Sequence, residues 1–157
     1  MRFYAHRGNT RGPSPMFENQ PHYLAQAIAD GFECEVDIWC VQGDLKFGHD
    51  WPDYYVPEGW MDVYAKHCIF HCKNWEAMLA MTQDLQHFFW HQEDAYTLTS
   101  TGLVWVYPEV TVPNYKNFIA CDPSKVDLPN AWSDIYGVCS DYVHQLRLQE
   151  EALCPKK

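Results

Sequence analysis

Apolar and polar positions change period several times along the chain. Arg2–His6 is a short apolar run that reads as a strand. Across Pro21–Asp30, Leu24, Ala27 and Ile28 recur at helical spacing, with Pro21 suited to a first turn and Gly31 to the position just past a helix end. Glu33–Cys40 and Leu45–His49 follow as strands on either side of the turn Gln42-Gly43-Asp44. After an irregular aromatic stretch from Trp51 to Tyr64, Cys68–Lys73 is a further strand. Trp75, Met78, Leu79 and Thr82 then line one face of a helix.

From residue 86 the rhythm changes. Phe88–His91, Tyr96–Ser100, Leu103–Tyr107, Phe118–Cys121 and Tyr136–Cys139 are strand-like, while the gaps between them are too short or too rich in Pro and Asn for full helices. Alternating βα units in the front half predict a parallel sheet covered by helices. A count of about eight strands predicts a (β/α)8 barrel of TIM type, trimmed in its second half because such barrels ordinarily take ~250 residues. Outward-facing Phe88, Trp90, Val104 and Val106 are then expected to need cover from loops rich in Pro and aromatics, or from a second copy of the chain. With no repeat and no Gly/Ser-rich linker, residues 1–149 are expected to form a single domain and 150–157 a C-terminal tail.

Composition narrows the partners. The 157 residues are 47% apolar and 16% aromatic, enough for one core, and no stretch reaches the roughly 18 apolar residues of a membrane span. Eleven Lys and Arg against 21 Asp and Glu leave a formal charge of −10. That charge repels nucleic-acid backbones and anionic lipid surfaces, so neither nucleic acid nor a membrane is expected as a partner. A small phosphate compound would need a local cluster of cations or a metal ion. The seven Cys are an odd number without a dense pattern, which fits a reducing compartment. Because a strand already begins at Arg2, no signal segment is read and a cytoplasmic location is expected.

Four segments carry candidate chemistry: Ala5-His6-Arg7-Gly8, Phe17-Glu18-Asn19, Glu35-Val36-Asp37 and Gly48-His49-Asp50. Alternate side chains of a strand share a face, so Glu35 and Asp37 project together as a pair of carboxylates suited to a hard divalent cation. His6 and His49 end the first and third predicted strands, which are expected to flank the second. Strand C-terminal ends are where such barrels do their chemistry. Each piece alone is commonplace, since most Glu-x-Asp pairs are solvated strand faces and most strand-end histidines are structural donors.

The order and spacing of all four segments resemble the glycerophosphodiester phosphodiesterase family, in which His-Arg-Gly, Glu-Asn, Glu-x-Asp and Gly-His-Asp open the catalytic barrel. The resemblance covers residues 3–50. Phe89-Trp90-His91-Gln92 and Thr97-Leu98-Thr99-Ser100 are similar to segments of unusually short members. It implies hydrolysis or transesterification of a small glycerophosphodiester-like substrate, with His6 and His49 as general acid and base. It also implies a divalent metal ion (Mg, Ca or Mn, with Zn possible) on Glu35 and Asp37. In that family a neighbouring glycerol hydroxyl can attack phosphorus and give a cyclic phosphate. Arg7 offers a planar fork for phosphate oxygens. Glu18 either positions Arg7 or a metal-bound water, or is an acidic residue near a helix N-terminus.

On the fourth strand the pattern departs. Typical members carry Glu-x-Lys there, whereas this chain has His71-Cys72-Lys73. Lys73 keeps the phosphate-binding cation. His71 replaces the third carboxylate and, as a nitrogen donor, shifts the expected metal toward Mn²⁺, Fe²⁺ or Zn²⁺. Otherwise it hydrogen-bonds the phosphate, and His91, Asp94 or Asp141 completes the site. The run His67–Cys72 also contains zinc-type ligands, but strand alternation sets His67 and His71 on one face and Cys68 and Cys72 on the other. Two rival functions stay open: a non-catalytic phosphate-binding protein that retains Arg7 and Lys73, and a sugar-phosphate hydrolase or lyase. Segments 51–66 and 107–117 are expected to shape the pocket for the alcohol.

Overall fold

In the computed structural model, which describes residues 1–110, 116–122 and 135–153, the sheet is built around β2 (Glu33–Val41), a strand of nine residues. β1 (Arg2–His6) and β5 (Cys68–Cys72) pair with it in parallel. The carbonyls of Glu35 and Asp37 accept from Arg7 N–H and Gly48 N–H, while that of Ile38 accepts from Lys73 N–H. Successive strand carbonyls point to opposite edges. Hence β3 (Asp44–Phe47) follows β1 along one edge of β2, and β5 occupies the other. β3 returns antiparallel through Gln42 and Gly43, both at positive φ (54° and 89°), as a two-residue hairpin turn requires. β4 (Tyr54–Tyr55) pairs antiparallel with β3.

The parallel run extends from β5 to β6 (Phe88–Trp90) on one arm. On the other arm it passes from β1 to β10 (Gly137–Ser140), β9 (Phe118–Cys121) and β8 (Val104–Val106). β7 (Tyr96–Leu98) lies antiparallel on β8. Among the described residues there are four short α-helices: α1 (Pro21–Ala29), α2 (Trp60–Tyr64), α3 (Trp75–Gln83) and α4 (Val143–Leu153). The fold is therefore a curled, mixed, ten-stranded sheet with few helices, not the trimmed (β/α)8 barrel that the strand count suggests. Two of the runs counted as barrel strands turn back on their neighbours, β3 after two residues and β7 ahead of β8 by five. Connections that short join only antiparallel strands, because a parallel neighbour needs a crossover of a dozen residues or more.

Alternation along the strands separates two cores. Phe3, Ala5, Cys34, Val36, Ile38, Phe70 and Val138 face outward under Leu24, Ala27, Met81 and Val143 of the helices. Tyr4, Ile69, Phe89, Trp105, Ile119, Cys121 and Cys139 face inward as a second cluster. Phe89 on β6 and Trp105 on β8 sit on different arms of the sheet yet stack at 4.3 Å between ring centroids. Such contact is possible only because the sheet curls. Val106 is fully buried, and Phe88, Trp90 and Val104 pack half-buried against the outer core of the same chain. α4 continues through Leu153, which puts the first part of the expected tail in a helix, and 154–157 lie outside the described residues. No helix among the described residues is long and apolar enough to cross a membrane.

Candidate metal and phosphate site

The inward positions above the inner cluster are polar. Strand register sets His6 beside Glu35 and Asp37 beside His71. One ligand atom each from Glu35, Asp37 and His71 lies within 4.8 Å of the others. Glu35 and Asp37 are 2% and 0% exposed, a placement that ionised carboxylates take only when compensated. His71 is held on two sides: its ring stacks on Phe89 at 4.8 Å, and its Nε2 lies 2.9 Å from the His91 carbonyl. A carbonyl can only accept, so Nε2 carries a proton and the neutral ring has its lone pair on Nδ1. Nδ1 faces Asp37 Oδ1 at 3.1 Å and Glu35 Oε1 at 3.7 Å. A backbone carbonyl behind the far nitrogen is the usual way of fixing a metal-ligating imidazole.

Two carboxylate oxygens in this cluster, Glu35 Oε2 and Asp37 Oδ1, are buried without a hydrogen-bond donor. Burial first, and then the charge of Asp37, push the Glu35 carboxyl above its ordinary range. For Asp37 burial acts upward, but His71 when its ring carries a proton on Nδ1, together with Arg7 and Lys73, holds it well below that range. An ionised Asp37 beside a Glu35 whose charge is disfavoured is an environment that a cation would relieve. The donor set therefore fits a divalent metal ion, with two oxygens and one nitrogen.

Cations and amides surround the carboxylates. Arg7 Nε lies 3.0 Å from Asp37 Oδ2 and Lys73 Nζ 3.4 Å from Asp37 Oδ1. Asn19 clamps Asp37 twice, its Nδ2 donating to Oδ2 (2.9 Å) and its Oδ1 accepting from the Asp37 backbone N–H (3.0 Å). Glu18 accepts from Arg7 Nη1 at 3.2 Å and from Asn9 Nδ2 at 2.9 Å, so the structure places it as a support for Arg7. Arg7 and Asn19 both hold positive φ, 54° and 60°. For Arg this is uncommon, and such strain concentrates at functional sites.

His6 and His49 line one cavity of about 560 Å³ together with Arg7, Glu35, His71 and Lys73. His6 Nδ1 is 2.8 Å from Asp141 Oδ1, and its Nε2 is 3.9 Å from Glu35 Oε2. Burial alone would lower the His6 pKa, but the bond to Asp141 and the charge of Glu35 outweigh it and raise the value. For His49, 41% exposed at the side chain and 2.7 Å from Asp50 Oδ1, burial prevails and the pKa is lowered. Its loop depends on Gly48, at φ 149°, where a Cβ would sit 1.9 Å from the Trp51 carbonyl oxygen. β1 and β3 share one edge of β2, so His6 and His49 do not flank the carboxylate strand from both sides as expected. Both approach from that one edge.

The other proposed donors go elsewhere. Asp141 serves His6, His91 contributes its carbonyl to His71 while its ring Nε2 lies 2.6 Å from the Asp94 carbonyl, and the Asp94 side chain is exposed. Cys68 and Cys72 belong to the outer core and His67 to the 3-10 turn Ala65–His67, which removes the zinc arrangement along that run. Trp90, Trp105, Tyr107 and Pro108 supply an apolar wall to the cavity. Of the segment 107–117, residues 111–115 lie outside the described residues. Neither a family model, nor a curated protein, nor a solved structure matches the chain.

Proposed function

We propose that this cavity cleaves a small phosphodiester of the glycerophosphodiester type with the help of a divalent metal ion held by Glu35, Asp37 and His71. The observation that carries the reading is the pair of buried carboxylates, each with an oxygen that accepts no hydrogen bond, set beside a nitrogen ligand of fixed tautomer and two cations that line the cavity. The ion, when bound, supplies charge neutralisation to the phosphate and polarises the phosphorus–oxygen bond. Arg7 donates Nη1 to Glu18 and faces Asp37 through Nε as an ion pair, which leaves its other donors for phosphate oxygens, and Lys73 adds a second positive charge. One histidine takes the proton of the attacking hydroxyl, from water or from the substrate, as the new bond to phosphorus forms. The bond to the departing alcohol breaks, and the other histidine gives that oxygen a proton. Water as attacker yields a phosphomonoester, and a substrate hydroxyl yields a cyclic diester.

The apolar wall of Trp90, Trp105 and Tyr107 gives the alcohol portion a surface to pack on. The test is release of nitrophenol from bis(p-nitrophenyl) phosphate by chelator-stripped protein reloaded with Mg²⁺, Ca²⁺, Mn²⁺ or Zn²⁺. Turnover with at least one metal supports the reading. Metal and phosphate binding without turnover would instead favour the phosphate-binding protein.

A further inference from the structure

Asn9 is fully buried, at 0% exposed, and every hydrogen-bonding position of its side chain is used. Its amide nitrogen has two protons and meets two carboxylates, Glu18 Oε1 at 2.9 Å and Asp141 Oδ1 at 2.8 Å. Its amide oxygen has two lone pairs and accepts from Ser14 N–H at 3.1 Å and from the Tyr23 hydroxyl at 3.3 Å. The two carboxylates lead to different parts of the cavity. Asp141 Oδ1 holds His6 Nδ1, and Glu18 Oε2 holds Arg7 Nη1. Asn9 is thus the only described side chain that bonds both supports. Without the amide between them, Glu18 would keep only Arg7 and Asp141 only His6, and no side-chain hydrogen bond among the described residues would tie the two supports to each other.

We propose that Asn9 is a positioning residue that sets the orientation of His6 and Arg7 together, through Asp141 and Glu18. With Asp141 receiving the Nδ1 proton, the neutral His6 ring keeps its lone pair on Nε2, on the side of Glu35. The same amide fixes Glu18 and through it the guanidinium. The amide is specific to the task, because Asp in its place would set three carboxylates against one another and Leu would remove the donor that the two supports share.

The kinetic part of the test rests on the phosphodiesterase reading, and the spectroscopic part does not. In the metal-loaded protein acting on bis(p-nitrophenyl) phosphate, Asn9→Asp and Asn9→Leu are expected to lower kcat by roughly 10²-fold, the cost of slight misplacement of a reacting group. Mn²⁺ affinity by calorimetry should stay within about threefold, since none of the three ligands bonds Asn9. Tyr23→Phe keeps the ring and removes one bond to the amide oxygen, and should lower kcat roughly two- to tenfold with KM unchanged. In ¹⁵N-resolved imidazole spectra, wild-type His6 should show a hydrogen-bonded Nδ1 proton that is protected from exchange, weakened in Tyr23→Phe and lost in Asn9→Leu. Absence of turnover in the wild type, on this ester and on glycerophosphocholine, would defeat the phosphodiesterase reading and leave the spectroscopic prediction in force. A His6 Nδ1 proton unaltered in both variants, or unchanged kcat in an active enzyme carrying Asn9→Leu, would overturn the role of Asn9.

Discussion

In the proposed reaction, single residues of this cavity would carry separable tasks. His6 and His49 are solvent-reached cavity residues rather than core members, so His6→Ala and His49→Ala should each lower turnover by about 10²–10⁴-fold, the usual contribution of a positioned acid or base. Melting temperature should barely move, and equal loss of stability and activity would mark either one as structural. His71→Glu turns the nitrogen ligand into an oxygen ligand, which should move metal preference from Mn²⁺ or Zn²⁺ toward Mg²⁺ or Ca²⁺. Calorimetry on stripped protein checks this, and an unchanged preference would remove His71 from the ligand set. The pairing of Glu35 with Asp37 and the inward turn of His71 were legible in the sequence because a strand has a strict two-residue period. The partnership of His6 with Asp141 was not, because it spans 135 positions and no local pattern encodes which distant carboxylate arrives. Asn9 follows His6-Arg7-Gly8 directly and was overlooked because a lone Asn in a turn is so common.

At the scale of elements, one side chain joins α3 to the sheet. Asn74 Oδ1 accepts from Ala77 N–H at the helix start and from Cys40 N–H in β2, each at 3.1 Å, while its Nδ2 donates to the Cys40 carbonyl at 2.7 Å. Asn74→Ala loses the cap and both bonds to β2, and should cost about 1–2 kcal/mol or somewhat more in denaturant titration. Asn74→Asp keeps the cap and should recover part of that loss. An Ala variant as stable as the wild type would contradict this. The helical period of α1 and most strand positions were readable from apolar spacing, whereas in α3 the predicted face of Trp75, Met78, Leu79 and Thr82 is the exposed one and Ala77 and Met81 are buried instead. Strand direction was not readable, because runs as short as Asp44–Phe47 and Tyr96–Leu98 hold too few positions for a continuous apolar pattern to be told from an alternating one. The lengths of the connections held that information. Gln42-Gly43 admits only a hairpin, and the five residues between Leu98 and Val104 are likewise too few for a parallel crossover.

For the whole molecule, a net charge of −10 means that the proposed anionic substrate would have to be drawn in by a local set of positive charge, Arg7, Lys73 and the proposed metal ion. Stability against pH has a separate determinant at the start of β6. His87 Nε2 is buried without a partner, and burial, with a smaller push from Arg2, lowers its pKa from 6.5 to about 4. The unfolded chain therefore binds a proton that the folded one refuses between these values. This contribution to stability is complete above pH 6.5 and is lost as pH falls toward 4. Relative to His87→Phe, the wild type should lose on the order of 2 kcal/mol across that window in urea titrations. Parallel pH curves for the two proteins would show that His87 is not the cause. The central claim, metal-assisted cleavage at Glu35, Asp37 and His71, is met most directly by ³¹P NMR of glycerophosphocholine incubated with metal-loaded protein. The expected result is conversion of the diester resonance to a phosphomonoester or cyclic phosphate, abolished in Glu35→Gln and Asp37→Asn. An unchanged diester with Mg²⁺, Ca²⁺, Mn²⁺ and Zn²⁺, or equal conversion by the two variants, would contradict it.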